Sequence, residues 1–500
     1  MPRLKSFCLT SKRTGSGQAD GSRCDCFAIC RILIGQSDFV PANLTEVPFH
    51  GLVRSLPLGW ERTLAKLESD GSTTVKEKSS WFRQSKDFPD PGPPPDGGWE
   101  AWRSVIGGFI VVFLCWGFIN SFGLFQTYYT SQPHINASPS AISWIGSIQI
   151  FGLMGIGAFS GSASDTGYFR LTSVAGIFFF VLGVFTTSIS RSYWQLMLSH
   201  GVCTALGNGL IFIPTMSVVS TYWSPNRKSV AIGCMLCGAS VGGVILPILF
   251  NSLLPRVGFG WSLRVFGFIA IALFGCSQAL LKKRLPPREG VRVLEFEALK
   301  DGLFDLFVLG SFVNFLGLYL AFFFIVSYAR DVLGMSFSDS NNLLLVINGT
   351  GIPGRLLPMW LADQRQWKGI RPVTVQVPVT LVTSILLFSW IAVRDEHSLY
   401  VFAALYGFFA NGVQSLFPAT LADMTLDPRK TGAQLGWGFT IGSFSCLTGN
   451  PIGGLLVQTG GGKYTYAQIY AGSCAMCGCA IYAVVAGLRI RQQQKIDNGR

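Results

Sequence analysis

From Ser104 onward, apolar stretches of about 20 residues recur, each parted from the next by a short connection holding Pro, Gly or charge. An α-helix rising 1.5 Å per residue needs about that length to cross the roughly 30 Å hydrocarbon core of a bilayer. The pattern predicts spans over 104–128, 140–160, 171–190, 194–220, 229–254, 262–281, 303–329, 339–361, 372–393, 399–422, 432–457 and 465–488. Hydrocarbon offers backbone groups no partner, so such spans close their own hydrogen bonds as helices. The expected fold class is an all-α membrane protein with about twelve transmembrane helices. Composition agrees: 49% of residues are hydrophobic and 13% charged, the latter about half the share in a water-facing domain. A soluble enzyme is excluded, and the sequence holds no phosphate-cradling Gly-Lys loop, metal-ligand cluster or nucleophile triad. Most of the 13 cysteines lie in apolar runs, where Cys behaves as a small hydrophobe. No cofactor and no metal are expected.

The net charge of +13 does not point to nucleic acid, because residues 1–102 are nearly balanced and the excess falls among the spans. Lys and Arg there act as orientation signals, retained on the cytosolic side. With a cytosolic N-terminus, inner connections carry Arg170; Arg227 and Lys228; six cations over 282–300; Arg365, Lys368 and Arg371; and Arg429 and Lys430. Outer connections carry only Arg191, Arg256, Arg330, Arg394 and Lys463. Both termini are therefore expected in the cytosol, most simply beneath the plasma membrane. Residues 1–95 end in Pro91, Pro93, Pro94 and Pro95; they read as a disordered cytosolic tail without a signal peptide. Asn136, in Asn136-Ala137-Ser138, falls in an outer loop and is a candidate glycan acceptor.

The two halves repeat. Asn208-Gly209 is followed by Pro214, then Pro225, Arg227 and Lys228; Asn411-Gly412 is followed by Pro418, then Pro428, Arg429 and Lys430. Parallel repeats of six helices describe the major facilitator architecture, whose halves rock around a midplane cavity. The expected organisation is the tail, a six-helix bundle over 96–281, a cytosolic linker over 282–302, a second bundle over 303–488 and a cytosolic tail over 489–500, in a chain acting as a monomer.

Asp96-Gly97-Gly98-Trp99-Glu100-Ala101-Trp102, before the first span, resembles the entry motif of the monocarboxylate transporter family in its fungal branch. Asn120 to Tyr129 resembles the end of that branch's first helix, and Tyr222, Arg227, Lys228, Ala231, Gly233, Gly238, Ala239 and Gly242 match its second motif. Gly161, Asp165, Gly167 and Arg170 resemble the general facilitator loop, which latches the inner gate in family members. Small residues on the fifth helix also let a neighbouring backbone approach closely.

One charge lies deep in a span, where it is costly unless it faces a cavity or a partner. Arg355, in Gly351-Ile352-Pro353-Gly354-Arg355, stands about two turns before Asp363. Its planar fork suits a carboxylate, and the resemblance implies an arginine at this place in carboxylate-recognising members. Pairing with Asp363, or snorkelling toward the cytosol, is the alternative. Proton-coupled members carry an acid and a lysine where Gly351 and Asn120 stand here, so the familiar coupling pair is missing. His200, the one membrane-embedded histidine, is the remaining candidate for proton coupling, against an ordinary packing role. The resemblance places the first, fourth, seventh and tenth helices around the cavity, so Asn120, Gln126, Asn208, Asn314, Tyr319, Tyr406, Asn411 and Gln414 are the candidate lining residues. Phe322, Phe323 and Phe324 read as packing or lipid-facing. The expected function is secondary transport of a small organic anion or carboxylated secondary metabolite, with efflux favoured. Uptake of a monocarboxylate or a vitamin such as riboflavin is the alternative, and a non-transporting membrane sensor a distant one.

Overall fold

In the computed structural model, which describes residues 92–132, 135, 137–287, 301–364, 370–425 and 427–498, helix falls on every one of the twelve expected stretches. The tail before Gly92, Asn136 and most of the linker lie outside the described residues. The helices are α1 (Gly98–Thr130), α2 (Pro139–Gly155, resuming as Gly157–Ala163), α3 (Phe169–Thr187) and α4 (Tyr193–Ser220). A 53-residue helical run, Lys228–Leu280, is divided at Gly258, whose φ of 76° is closed to most side chains, into α5 (228–257) and α6 (259–280). The second half holds α7 (Gly302–Asp331), α8 (Phe337–Ala362), α9 (Pro372–Ser389), α10 (Glu396–Met424), α11 (Thr431–Thr459) and α12 (Thr465–Asn498).

Among the described residues, eight helical stretches are long and apolar enough to cross a membrane. Two of them, Ala141–Thr187 and Lys228–Leu280, run for 47 and 53 residues, about 70–80 Å of helix and more than one crossing needs. Helices α8 and α11 are long but not among the eight; their small and polar residues face the bundle interior, as described below. Helix starts follow local chemistry. Ser138 caps α2 at the Ala141 N–H (3.1 Å) with Pro139 behind it, and Asp395 caps α10 at Ser398 (2.9 Å). The outer surface stays apolar, with Leu171, Phe178, Trp194, Phe268 and Val401 well exposed. That suits lipid and not water.

Glycine decides how closely α5 packs. A Cβ at Gly238 would collide with the Phe109 carbonyl of α1, and one at Gly242 with the Phe113 carbonyl. Gly233 and Gly243 instead face α8, against Met359 and Asn348. The small residues thus serve two neighbours on two sides of α5, one within its half and one across the interface between halves. The end of the bundle where α6 leaves and α7 enters is called the linker side below, and the opposite end the far side.

Candidate functional site

A cavity of about 400 Å³ lies between the halves. Its walls come from α1 (Trp116, Asn120, Gln126, Thr130), α2 (Gly146, Ile150), α7 (Tyr319, Phe322, Phe323, Arg330), α8 (Asn341, Asn348, Arg355) and α10 (Asn411, Gln414). Along α1 the lining runs from Trp116 to Thr130, about 21 Å at 1.5 Å per residue, and Thr130, Arg330 and Asn341 stand near the far-side ends of their helices. The cavity therefore opens on the far side. Next to it, a small pocket that shares Trp116, Tyr319, Arg355 and Gln414 with the cavity has an aromatic floor: Trp116, Phe212, Phe439, Phe417 and Phe315 follow one another at ring separations of 6.0, 5.5, 5.0 and 5.0 Å, taking members from both halves.

Arg355 sits just above this floor and is only 5% exposed. Its Nε donates to Ser240 Oγ (3.1 Å), one terminal nitrogen to Ser415 Oγ (3.1 Å), and the other to Asn411 Oδ1 (2.7 Å) and Gln414 Oε1 (3.2 Å). All four acceptors are neutral, so the guanidinium is well held and its charge uncompensated by any carboxylate among the described residues. Four of its five N–H donors are engaged. A two-pronged grip on a carboxylate therefore requires one of these bonds, such as the longer one to Gln414, to yield. Asp363 is occupied elsewhere, as described below. Gly351 explains why no acid stands one turn before Arg355: a Cβ there would meet Asn411 Nδ2 at 2.6 Å and Ser240 Oγ at 2.8 Å. The room is filled by the residues that hold the arginine.

Of the expected lining residues, Asn120, Gln126, Tyr319, Asn411 and Gln414 reach the cavity together with Arg355. Asn120 also donates toward Asn348 Oδ1 (3.5 Å) and the Ala239 carbonyl (3.3 Å), joining the halves at the cavity edge. Asn208, Asn314 and Tyr406 are placed differently. Helix α4 turns Gly207 to α3 and Gly209 to α2, which leaves Asn208 fully buried inside its half. Asn314 is also buried and donates to the Ala475 carbonyl of α12 (3.5 Å), while the Tyr406 hydroxyl donates to the Leu318 carbonyl. Phe322, Phe323 and Phe324 pack against the core, as expected, and Phe322 and Phe323 also border the cavity; Phe324 packs on Tyr464. Ser240, Ser415, Asn348 and Trp116 are absent from the sequence-based set. Asn348 lies seven residues before Arg355, two turns along the same face of α8, a spacing that would have revealed it.

His200 is fully buried in a π-helical turn (Met197–Cys203). Its Nδ1 lies 2.8 Å from the Tyr129 hydroxyl, and the rings of Phe118, Phe125 and Phe122 stand 4.8, 5.0 and 5.6 Å away. Phe122 separates it from the cavity, whose wall it forms. A proton moving between His200 and the cavity would have to pass this aromatic layer.

On the linker side two carboxylates cross between the halves. Asp165 accepts the N–H groups of Gly432 (3.2 Å) and Ala433 (2.9 Å) at the start of α11, and Asp363 those of Ser229 (3.1 Å) and Val230 (2.8 Å) at the start of α5. Each carboxylate meets unpaired N–H donors and the positive end of a helix dipole. Lys283 donates to the Ser164 and Asp165 carbonyls (2.6 and 3.1 Å). Burial pushes its ammonium pKa down, opposed by the Asp165 carboxylate. The other cations expected near the gate act locally. Arg170 ties to the Gln278 and Leu281 carbonyls at the end of α6, Arg227 to the Asp96 carbonyl, and Arg429 to Asp427 (3.3 Å). Lys228 and Lys430 sit at the starts of α5 and α11.

The model of the Major Facilitator Superfamily matches residues 105–450. An MFS-type transporter of Gibberella zeae is 41% identical over 78% of this chain and 87% of its own length. The aspyridones efflux protein apdF of Emericella nidulans is 32% identical over 78% of each chain. Among solved structures, the human organic anion transporter MFSD10 superposes with a TM-score of 0.61 at 14% identity, covering 76% of this chain and 99% of its own. FucP in the outward conformation does so with 0.58 at 14% identity, covering 76% and 98%; both likenesses concern the fold. The repeated halves, the cavity between them and the extent of the match together make this multi-pass membrane protein a member of the Major Facilitator Superfamily.

Proposed function

We propose that this chain is a secondary active transporter of the fungal monocarboxylate transporter-like branch, exporting a small organic anion or carboxylated secondary metabolite by alternating access. The observation that carries the reading is Arg355: a buried cation at the closed end of a cavity, held by neutral acceptors and facing no acid among the described residues. A solute carboxylate would complete its electrostatics, and Trp116, Tyr319, Phe322 and Phe323 supply apolar area for a hydrophobic body. Efflux is favoured by the aspyridones efflux protein among the relatives. With twelve crossings and both termini in the cytosol, the far side is the outside of the plasma membrane and the cavity is outward-open.

The test is counterflow in proteoliposomes, with radiolabelled aromatic monocarboxylates and their methyl esters. Protein-dependent exchange of acids with little exchange of the neutral esters is expected; exchange of esters at the same rate would remove the role given to Arg355. The tail is expected to contribute nothing to this activity. Deleting Met1–Phe88, a segment rich in polar residues and ending before the Pro-rich stretch, should leave the exchange rate within about twofold of the full chain. A correctly inserted deletion variant without exchange would contradict that.

A further inference from the structure

Helix α2 breaks at Ile156 although the chain has no proline there. The cause lies in the other half. Thr440 of α11 inserts its hydroxyl into the break, accepting the Ala158 N–H at 3.0 Å and donating to the Gly155 carbonyl at 3.0 Å. One hydroxyl thus replaces two groups of the α2 ladder, a recognised cause of helix kinks. The approach is possible because Gly157 lies against Gly436, where a Cβ would stand 3.1 Å from the Gly436 carbonyl oxygen. Below this point, Asp165 caps α11, so Thr440 belongs to the seam that closes the linker side.

We propose that Thr440 is a positioning residue that holds α2 bent only while the linker side is closed, and that its withdrawal lets α2 straighten. The inference rests on the alternating-access reading above. When α2 and α11 separate, Ala158 N–H and Gly155 C=O lose their partner; re-forming the helical ladder satisfies them again within the membrane. Above the break, the same helix carries Gly146 and Ile150 in the cavity wall. Straightening α2 therefore moves the far-side wall when the linker side opens, which links the two gates through one helix.

Two spin-label pairs test this in nanodiscs, in a variant whose native cysteines are replaced. Gln132→Cys with Val332→Cys reports the far-side separation of the halves. Trp144→Cys with Phe159→Cys, both on the outer surface, reports α2 across its break. Asp165→Asn with Asp363→Asn supplies the population open on the linker side. In that population the α2 distance is expected to lengthen toward the roughly 22 Å of an unbroken 15-residue rise. An unchanged α2 distance across two resolved inter-half populations overturns the proposal and leaves alternating access standing; a single inter-half population throughout overturns alternating access itself. Thr440→Val should lower the ratio of linker-side-closed to linker-side-open molecules at least tenfold, equivalent to about 1.4 kcal/mol, and Thr440→Ser should restore it. A folded Thr440→Val with the wild-type ratio also overturns the proposal. If that variant does not fold, the α2 distance in chains retaining Thr440 decides.

Discussion

Arg355→Lys is expected to lower the affinity for a transported monocarboxylate about 100-fold, or ~2.7 kcal/mol. The substitution keeps a positive charge, so a purely Coulombic role would survive it. Lysine cannot hold Ser240, Ser415, Asn411 and Gln414 from one plane as the guanidinium does, and a compact ammonium presents no fork to a carboxylate. Binding measured by calorimetry on purified protein, with thermal unfolding alongside, separates recognition from folding. Undiminished affinity in a well-folded Arg355→Lys variant would show that the residue is structural. Asp363→Asn provides the contrast: Asp363 caps α5 from the linker side, and its loss should leave intrinsic solute affinity of the outward-open state unchanged.

The second large effect concerns the gate. Replacing both Asp165 and Asp363 by Asn should shift the balance between the two closures by roughly five- to several-hundredfold toward linker-side opening, since a lost cap and dipole contact is worth about 0.5–2 kcal/mol at each site. Each carboxylate holds two N–H groups of the opposite half; an amide oxygen retains part of the bonding and loses the charge. Accessibility of a single cysteine on the linker-side face of α11 to an impermeant maleimide is the measurement. Accessibility equal to that of the parent chain would mean that the seam is held without the two carboxylates, by contacts such as Gly161 on Gly432 and Thr440 on Ala158.

Much of this was legible before any coordinates. Spans announce themselves by length, and Arg355 by being a charge in an apolar run. The side each span turns inward was harder to read, because helices apolar all round carry little amphipathic signal. Asn208 and Asn314 were polar in the right helices yet face neighbours within their halves, while Phe322 and Phe323 were apolar yet line the cavity. Contacts between halves left still less trace. Asp165 lies 267 residues from Gly432, and Ala158 282 residues from Thr440, separations at which no local periodicity can register a partner. At the α2 break the only hint was Gly155-Ile156-Gly157, and glycine pairs are frequent in a chain with 58 glycines.

The bond from Arg355 to Ser240 joins α8 to α5, and so one half of the molecule to the other. The group proposed to bind the solute is at the same time a staple of the interface that alternating access would have to rearrange. Thermodynamic linkage then acts in both directions: a solute that draws the guanidinium away from Ser240 loosens the seam, and a seam that loosens changes affinity by the same factor. A ligand that leaves the staple intact shifts the balance only through whatever other contacts differ between the two states. Discrimination between cargo and blocker would then lie less in the cavity's size than in whether an occupant reaches one hydroxyl on the far wall.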